Sequence, residues 1–278
     1  MPSTTQVQIG SVVSLWRHPV KSMMGEELNA SAVMERGLLG DRAYALVDSS
    51  DGKVATAKNP RKWPNLFDFR ANLIEPASLS ANVPAVRITL PDGAMATSQQ
   101  SDLNQILSQA LNRKVTLNAT ERGQAGPAHA EEYWPDIEGL DHRDTVTDFA
   151  LPEGTFFDCA TVHLLTTATL DRLRELYPNG RFEVRRYRPN IVVAPASGEK
   201  SFVENAWIGR TLRIGDEVRL NVSGPCPRCV MTTLPQGDLP KDSGILRTAA
   251  QHNQGNVGVY ANVARGGTIR RGDPVRIE

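Results

Sequence analysis

GRTLRIGDEVRL, residues 209–220, returns 57 residues later as GGTIRRGDPVRI, residues 266–277. Glycine, threonine, arginine, Gly-Asp, valine and arginine recur at identical offsets. Each copy reads as a strand, a Gly-Asp turn and a second strand. Two equivalent hairpins predict a closed or nearly closed β-barrel in the C-terminal half, and not a βαβ sheet.

Working outward, the first third also reads as short strands and turns. VQIGSVVSLW (7–16) is rich in β-formers, and Arg42–Lys58 reads as a hairpin turning at Asp51-Gly52. Further strands are expected around 70–75, 86–90 and 114–117. One helix follows Ser101, a good N-cap, because Leu103, Ile106, Leu107, Ala110 and Leu111 form a 3.6-residue stripe. A second begins near Thr167 and stops at Pro178-Asn179-Gly180. Residues 119–157 mix Gly, Pro, His and acidic residues and read as a long connection. The chain is therefore predicted to be mostly β with minor helices. A β-rich, barrel-like N-terminal module (1–125) packs on a C-terminal barrel (126–278).

Composition narrows the function. The 278 residues carry 31 Lys plus Arg against 31 Asp plus Glu, so no global field exists to hold DNA or an anionic membrane. Aromatics are only 6%, too few for a stacking surface for single-stranded nucleic acid. No apolar run approaches the roughly 20 residues of a membrane span, and the N-terminus reads as free of a signal peptide. Neither nucleic acid nor membrane is an expected partner. Three cysteines, Cys159, Cys226 and Cys229, argue against a disulfide framework and for a reducing, cytoplasmic location. Three also fall short of a four-cysteine cluster. No Gly-x-Ser-x-Gly elbow, Walker loop or G-x-G-x-x-G occurs, so hydrolase, NTPase, flavin and nicotinamide readings lack support.

The least ordinary segment is GPCPRCVMTTLPQGDLPKDSGILRT, residues 224–248. Cys226 and Cys229 stand in C-x-x-C spacing, prolines stiffen the loop, and Arg228 favours thiolate at its neighbour. On the residues alone, three readings stay open. A zinc site needs two more ligands, and His18, His129, His142, His163 and His252 form no paired motif. A thioredoxin-like redox pair wants a helix after a parallel strand. Two packed thiols are the plain structural reading.

Six segments occur in order: HPVKSM (18–23), GLLGDRAYALVD (37–48), YRPNIVV (187–193), CPRCVMTTLPQGDLP (226–240), GNVGVYANV (255–263) and GGTIRRGDPVRI (266–277). Together they make the chain resemble the MOSC family preceded by its N-terminal β-barrel partner, and most of all the amidoxime-reducing components and their bacterial counterparts. The resemblance implies a molybdenum cofactor, with molybdopterin's metal bound by Cys229. Lys21 and Ser22 match the family's phosphate-side pair and Arg42 its partner arginine. Arg188 and Asn190 match pterin-contacting positions, Tyr260 matches a cofactor-site tyrosine, and Arg228 adjoins the ligand. Cys226 matches a cysteine that is not a ligand. Cys159-Ala160 falls where relatives carry hydroxyl residues, and Pro227 replaces a small hydroxyl residue, so side-chain roles there are in doubt.

The implied activity is an oxidoreductase that reduces N-hydroxylated compounds: hydroxylamines, amidoximes and N-hydroxylated bases. Electrons would come from a separate donor protein, since no intrinsic iron–sulfur cluster, flavin or NAD site is expected. Asp238 is a candidate proton relay, with an Asx-type turn after Gly237 as the structural alternative. The alternative functions are a sulfur carrier or transferase and a molybdenum cofactor carrier.

Overall fold

The structure is a computed structural model that describes residues 7–75, 83–120, 128–138 and 142–278. The expected module boundary at 125/126 lies outside the described residues, as does the very start of the chain.

Seven strands close a barrel: β1 (Val7–Arg17), β2 (Val162–Thr166), β3 (Ile191–Pro195), β4 (Thr211–Ile214), β5 (Val218–Pro227), β6 (Asn256–Arg265) and β7 (Pro274–Ile277). Their order around the ring is β1-β3-β2-β6-β5-β4-β7, and β7 returns to β1. An odd ring cannot be antiparallel throughout, so at least one neighbouring pair must run parallel. That pair is β2–β3, and the others are antiparallel. A parallel pair needs a crossover. Helix α2 (Thr167–Leu176) and the single turn α3 (Val184–Tyr187) supply it. The Thr166 hydroxyl caps α2 by accepting from Thr169 N–H at 3.1 Å, a contact that typically contributes about 1 kcal/mol. Inward residues of all seven strands, among them Val12, Leu164, Ile191, Leu212, Leu220, Val259 and Val275, fill the interior.

The repeated segments end up differently. The first is a hairpin, with β4 paired to β5 across Gly215-Asp216. The second is not. After Gly267–Arg270 the chain turns through Gly272 at φ 93°, and the two halves join different sheets. Gly267–Arg270 pairs with Ala30–Met34, whereas β7 pairs with β4 and β1. The Asp273 carboxylate accepts from Arg270 N–H at 2.7 Å, and Gly272 N–H donates to Val12 carbonyl. These bonds fix the turn that sends the strands apart. The two copies pair with each other, Arg213 opposite Arg276, and so close the ring.

The N-terminal part is β-rich as expected, built of small sheets around its own core. Tyr44–Asp48 pairs with Val115–Ala119, and Arg70–Leu73, Val86–Thr89 and Met95–Thr97 form a meander. Helix α1 (Leu103–Leu111) buries Leu103 and Leu107. It starts one residue later than expected, with Asp102 at the N-cap. The connection expected over 119–157 contains a hairpin instead, His129–Trp134 against Thr145–Ala150. Ala130, Glu132 and Trp134 alternate along one face, opposite Phe149, Thr147 and Thr145, a strand pattern that the polar residues obscure.

The N-terminal core includes Trp63, Phe67, Phe69 and Leu107, and it also takes in Cys229, Val230, Met231 and Leu234. The thiol loop of the barrel thus packs inside the other module's core. Among the described residues, no helix is long and apolar enough to cross a membrane.

Candidate functional site

Six non-glycine residues among those described have positive φ, and three are sequence-predicted cofactor residues: Ser22 (63°), Arg42 (47°) and Arg188 (54°). Asn112 and Gln254 are ordinary helix C-caps. Left-handed backbone at a non-glycine residue costs about 1 kcal/mol or more, and it persists where surrounding contacts impose it. At Arg42 the contacts are visible. Arg42 N–H donates to His18 carbonyl, and Asp41 carboxylate accepts from His18 N–H at 2.7 Å and from Asn190 Nδ2 at 2.8 Å. Asp41 therefore ties the HPVKSM segment to the entry of β3.

These ties open a cleft between the two modules, with about 90 Å³ of internal space. Arg42 and Lys58 reach it from the N-terminal side. Asp158, Cys159, His163, Arg188, Asn190, Arg228, Cys229 and Tyr260 reach it from the barrel side. Four cations line it beside one carboxylate, Asp158, while Arg42 also ion-pairs with Asp41 and Lys58 with Glu132 just outside the lining. The arginines lean on backbone oxygens: Arg42 Nη2 donates to Arg188 carbonyl at 3.4 Å, Arg188 Nη1 to Met23 carbonyl at 2.6 Å and Arg228 Nη2 to Tyr187 carbonyl at 2.9 Å. Burial, then the neighbouring Arg42, makes the charged form of Arg188 costly and lowers it from the ordinary arginine range. Arg228 Nε is buried with no hydrogen-bond partner. The cleft thus holds excess positive charge in a place poor in water, the condition that favours an anionic ligand.

Sulfur lines one end. Cys229 sits at the start of a 3₁₀ turn (Val230–Thr233) and is 8% exposed. Burial pushes its thiol up to about 12; Glu132 adds to this, while Lys58 and Arg228 oppose it. Cys226 is fully buried, and its Sγ accepts from Arg228 Nη1 at 2.7 Å. Cys226 therefore holds the arginine beside the ligand candidate. Cys159 is exposed at the cleft edge. Among the described residues, no group of three or more His, Cys, Asp or Glu is placed to hold a metal ion. This disfavours the zinc reading.

His163 shows how closely the floor is built. Its Nε2 lies 3.1 Å from Val257 carbonyl, and burial followed by Arg228 lowers it to about 3, so it is neutral at physiological pH. Gly258, at φ 81°, packs against it. A Cβ there would come within 2.3 Å of His163 Nε2.

Not every predicted residue lines the cleft. Lys21 lies behind it, buried, bonding Phe156 carbonyl at 2.9 Å and ion-pairing with Asp158. Ser22 Oγ accepts from Ala57 N–H at 3.1 Å. Asn190 lines the cleft, but its amide is engaged by Asp41, Trp16 carbonyl and His163 N–H. Asp238 is elsewhere. Its carboxylate is exposed and bridges Arg181 at 2.8 Å and Arg185 at 2.6 Å, which hold it down at about 2. It does not line the cleft and is held by these two arginines at the surface.

Sequence reasoning missed Lys58, Asp158 and His163. Lys58 Nζ lies 3.1 Å from Glu132, 3.4 Å from Asp158 and 4.7 Å from the Phe149 ring centre. Although burial opposes its charge, Asp158, Cys229 and Glu132 outweigh that and raise it above the ordinary lysine range. Asp158 adjoins the flagged Cys159-Ala160 pair, a signal that was available. Lys58, at the end of the expected hairpin, offered none.

Known proteins match over the same two regions. Residues 9–128 match the MOSC N-terminal beta barrel domain, and residues 152–276 match the MOSC domain. The mitochondrial amidoxime reducing component 2 of Rattus norvegicus is 24% identical over 302 residues, covering 96% of this chain and 83% of that protein. The mitochondrial amidoxime-reducing component 1 of Homo sapiens is 23% identical over 291 residues, with the same coverage. The solved YUAD protein from Bacillus subtilis is similar at TM-score 0.49 and 10% identity, over 98% of each chain. With both domains matched in order across the two modules that form the cleft, the chain belongs to the MOSC family and carries that family's N-terminal β-barrel partner.

Proposed function

We propose that this chain is a molybdenum-cofactor-dependent oxidoreductase that reduces N-hydroxylated compounds. The observation that carries the reading is the cleft itself: four cations and a cysteine, drawn from both modules, converge on one space. The residues fit such a group on three counts. The excess positive charge suits a phosphate-bearing ligand. The partnerless Arg228 Nε is a buried donor in need of an acceptor. Among the described residues no three metal-binding side chains cluster around Cys229, which suits a metal that brings its own sulfur donors.

When bound, the cofactor supplies the two-electron chemistry by which an N–OH group loses its oxygen as water. This chain's residues do the rest. Cys229 gives up its proton to become a soft thiolate ligand. Arg42 and Arg188, joined through Arg188 carbonyl, bind the anionic end. Lys21 neutralises Asp158 behind them, so that this carboxylate does not repel the ligand. Lys58 keeps its proton on Nζ and presents positive charge at the sulfur end. Arg228 and Tyr260, both beside Cys226, would help to hold the ligand in the cleft. Substrates are hydroxylamines, amidoximes and N-hydroxylated bases, electrons come from a separate donor protein, and the location is cytoplasmic.

Turnover tests this. Molybdenum-loaded protein should convert an aromatic amidoxime to its amidine with dithionite and a viologen dye, and should not use NADPH alone. Full molybdenum occupancy with no turnover from any chemical donor would replace the proposal with a cofactor carrier or sulfur carrier.

A further inference from the structure

Arg186 is fully buried, yet no carboxylate among the described residues pairs with it. Its guanidinium donates to backbone carbonyls alone. Nε reaches Arg181 at 2.9 Å, Nη1 reaches both Thr232 and Leu234 at 3.1 Å, and Nη2 reaches Pro240 at 2.9 Å. Three of the four acceptors lie on the loop that follows Cys229. Thr232 and Leu234 sit at the end of the 3₁₀ turn that Cys229 begins, where carbonyls lack partners of their own. The residue after Arg186 completes the grip. Tyr187 carbonyl accepts from Arg228, just before Cys229, and Arg188 enters the cleft.

We propose that Arg186 is a positioning residue: through α3 it holds the thiol loop on the far side of Cys229, so that sulfur and the Arg188 cation keep a fixed separation. The inference rests on the proposed function for its catalytic meaning, though not for its geometry. A planar fork with five donors can satisfy four carbonyls at once, whereas a lysine ammonium has three donors on a flexible stem. The apolar side of the loop is already held by the N-terminal core through Val230, Met231 and Leu234. Arg186 supplies the polar side.

The test uses Arg186→Lys and Arg186→Met in the full chain. In cofactor-free protein, iodoacetamide labelling is followed at each cysteine by mass spectrometry. Cys229 should label at least tenfold faster in both variants, while the exposed Cys159 labels at the wild-type rate. In molybdenum-loaded protein, kcat should fall at least tenfold with KM within twofold of wild type. Unchanged Cys229 labelling in the folded variants, or full protection restored by lysine, would overturn the inference. Should neither variant fold, the wild-type guanidinium carries the test. Fixed by four carbonyls, Arg186 gives separate, slowly exchanging N–H signals by NMR, and one averaged signal overturns the claim. Labelling needs no metal. Faster labelling in both variants of a protein that never binds molybdenum would therefore refute the function and leave the positioning role intact.

Discussion

Two arginine clusters lie side by side in the chain and behave oppositely. Arg181 and Arg185 are at the surface, each paired with Glu183 and Asp238. Arg186 and Arg188, the next in sequence, are buried and bond to backbone carbonyls. The first cluster is electrically satisfied and open to solvent, where such pairs contribute little. The second, with Arg228, leaves positive charge in excess, and only Arg42 beside it is matched by a carboxylate, Asp41. The difference teaches that a site is marked here by unmatched buried charge, not by the density of charged residues. Asp238, close to the thiol in sequence, falls in the wrong cluster.

The largest expected effect that separates the two environments is on sulfur. With its thiol near 12, Cys229 is almost wholly protonated at pH 8, so cofactor-free protein should alkylate there roughly a thousandfold slower than an exposed cysteine of pKa about 8.5. The rate should climb about tenfold per pH unit toward 11, because only thiolate reacts. Metal capture at Cys229 must release that proton and should tighten as pH rises. Alkylation at an ordinary rate at pH 8 would mean that the cleft does not bury this thiol.

Next in size is the loss of a cleft cation. Arg42→Met or Arg188→Met should weaken pterin retention on dialysis by roughly 10- to 150-fold, the equivalent of about 1.5–3 kcal/mol for a charge-assisted bond. Lys241, an exposed control, should change nothing. Equal retention in all three would return the cleft arginines to the status of the surface pair. Lys21→Met is a different experiment. It removes the buried end of an ion pair and leaves Asp158, a half-exposed carboxylate, to Lys58, so the loss should appear in melting temperature as well.

A smaller effect is on stability. The pKa of His163 is lowered in the folded state, to about 3, against about 6.5 in the unfolded chain. Between those values the unfolded state binds the extra proton. Stability is therefore complete above pH 6.5 and falls as pH drops, by about 1.4 kcal/mol per unit within the window. Urea unfolding at pH 7 and pH 5 should show the loss, and His163→Gln should shrink it. A slope unaffected by the substitution would place the acid sensitivity elsewhere, with the buried His18 the first candidate. Smallest of all, Asp238→Asn should leave turnover within twofold of wild type. A drop of tenfold or more would restore the relay role.

Legibility in the sequence followed the range of the interactions. Most barrel strands and two of the four described helices, α1 and α2, were readable because period-2 and 3.6 patterns are local. The single turn α3 and the helix Gly244–Asn253 were not anticipated. The barrel was readable from the echoed Gly-Asp segments, although the second copy splits its strands between two sheets. That split depends on Val12 and Ala30–Met34, more than 230 residues away, and nothing within 266–277 encodes it. The hairpin over 129–150 was hidden because its inner face is partly polar, with Glu132 buried against Lys58. At the site, Arg42, Arg188, Arg228, Cys229 and Tyr260, all named from the resemblance, line one cleft. Lys58, Asp158 and Arg186 needed the fold, since their roles come from neighbours 46 to 137 residues distant. Backbone strain was equally invisible: no local feature announces that Ser22, Arg42 and Arg188 are left-handed.

The most direct measurement of the central claim is the molybdenum and pterin content of protein purified from a host that makes the cofactor, with Cys229→Ser and Cys226→Ser prepared in parallel. The wild type should hold close to one of each per chain, Cys226→Ser should keep most of it, and Cys229→Ser should lose the metal. Zinc without pterin in the wild type, or equal molybdenum in the Cys229→Ser protein, would contradict the assignment.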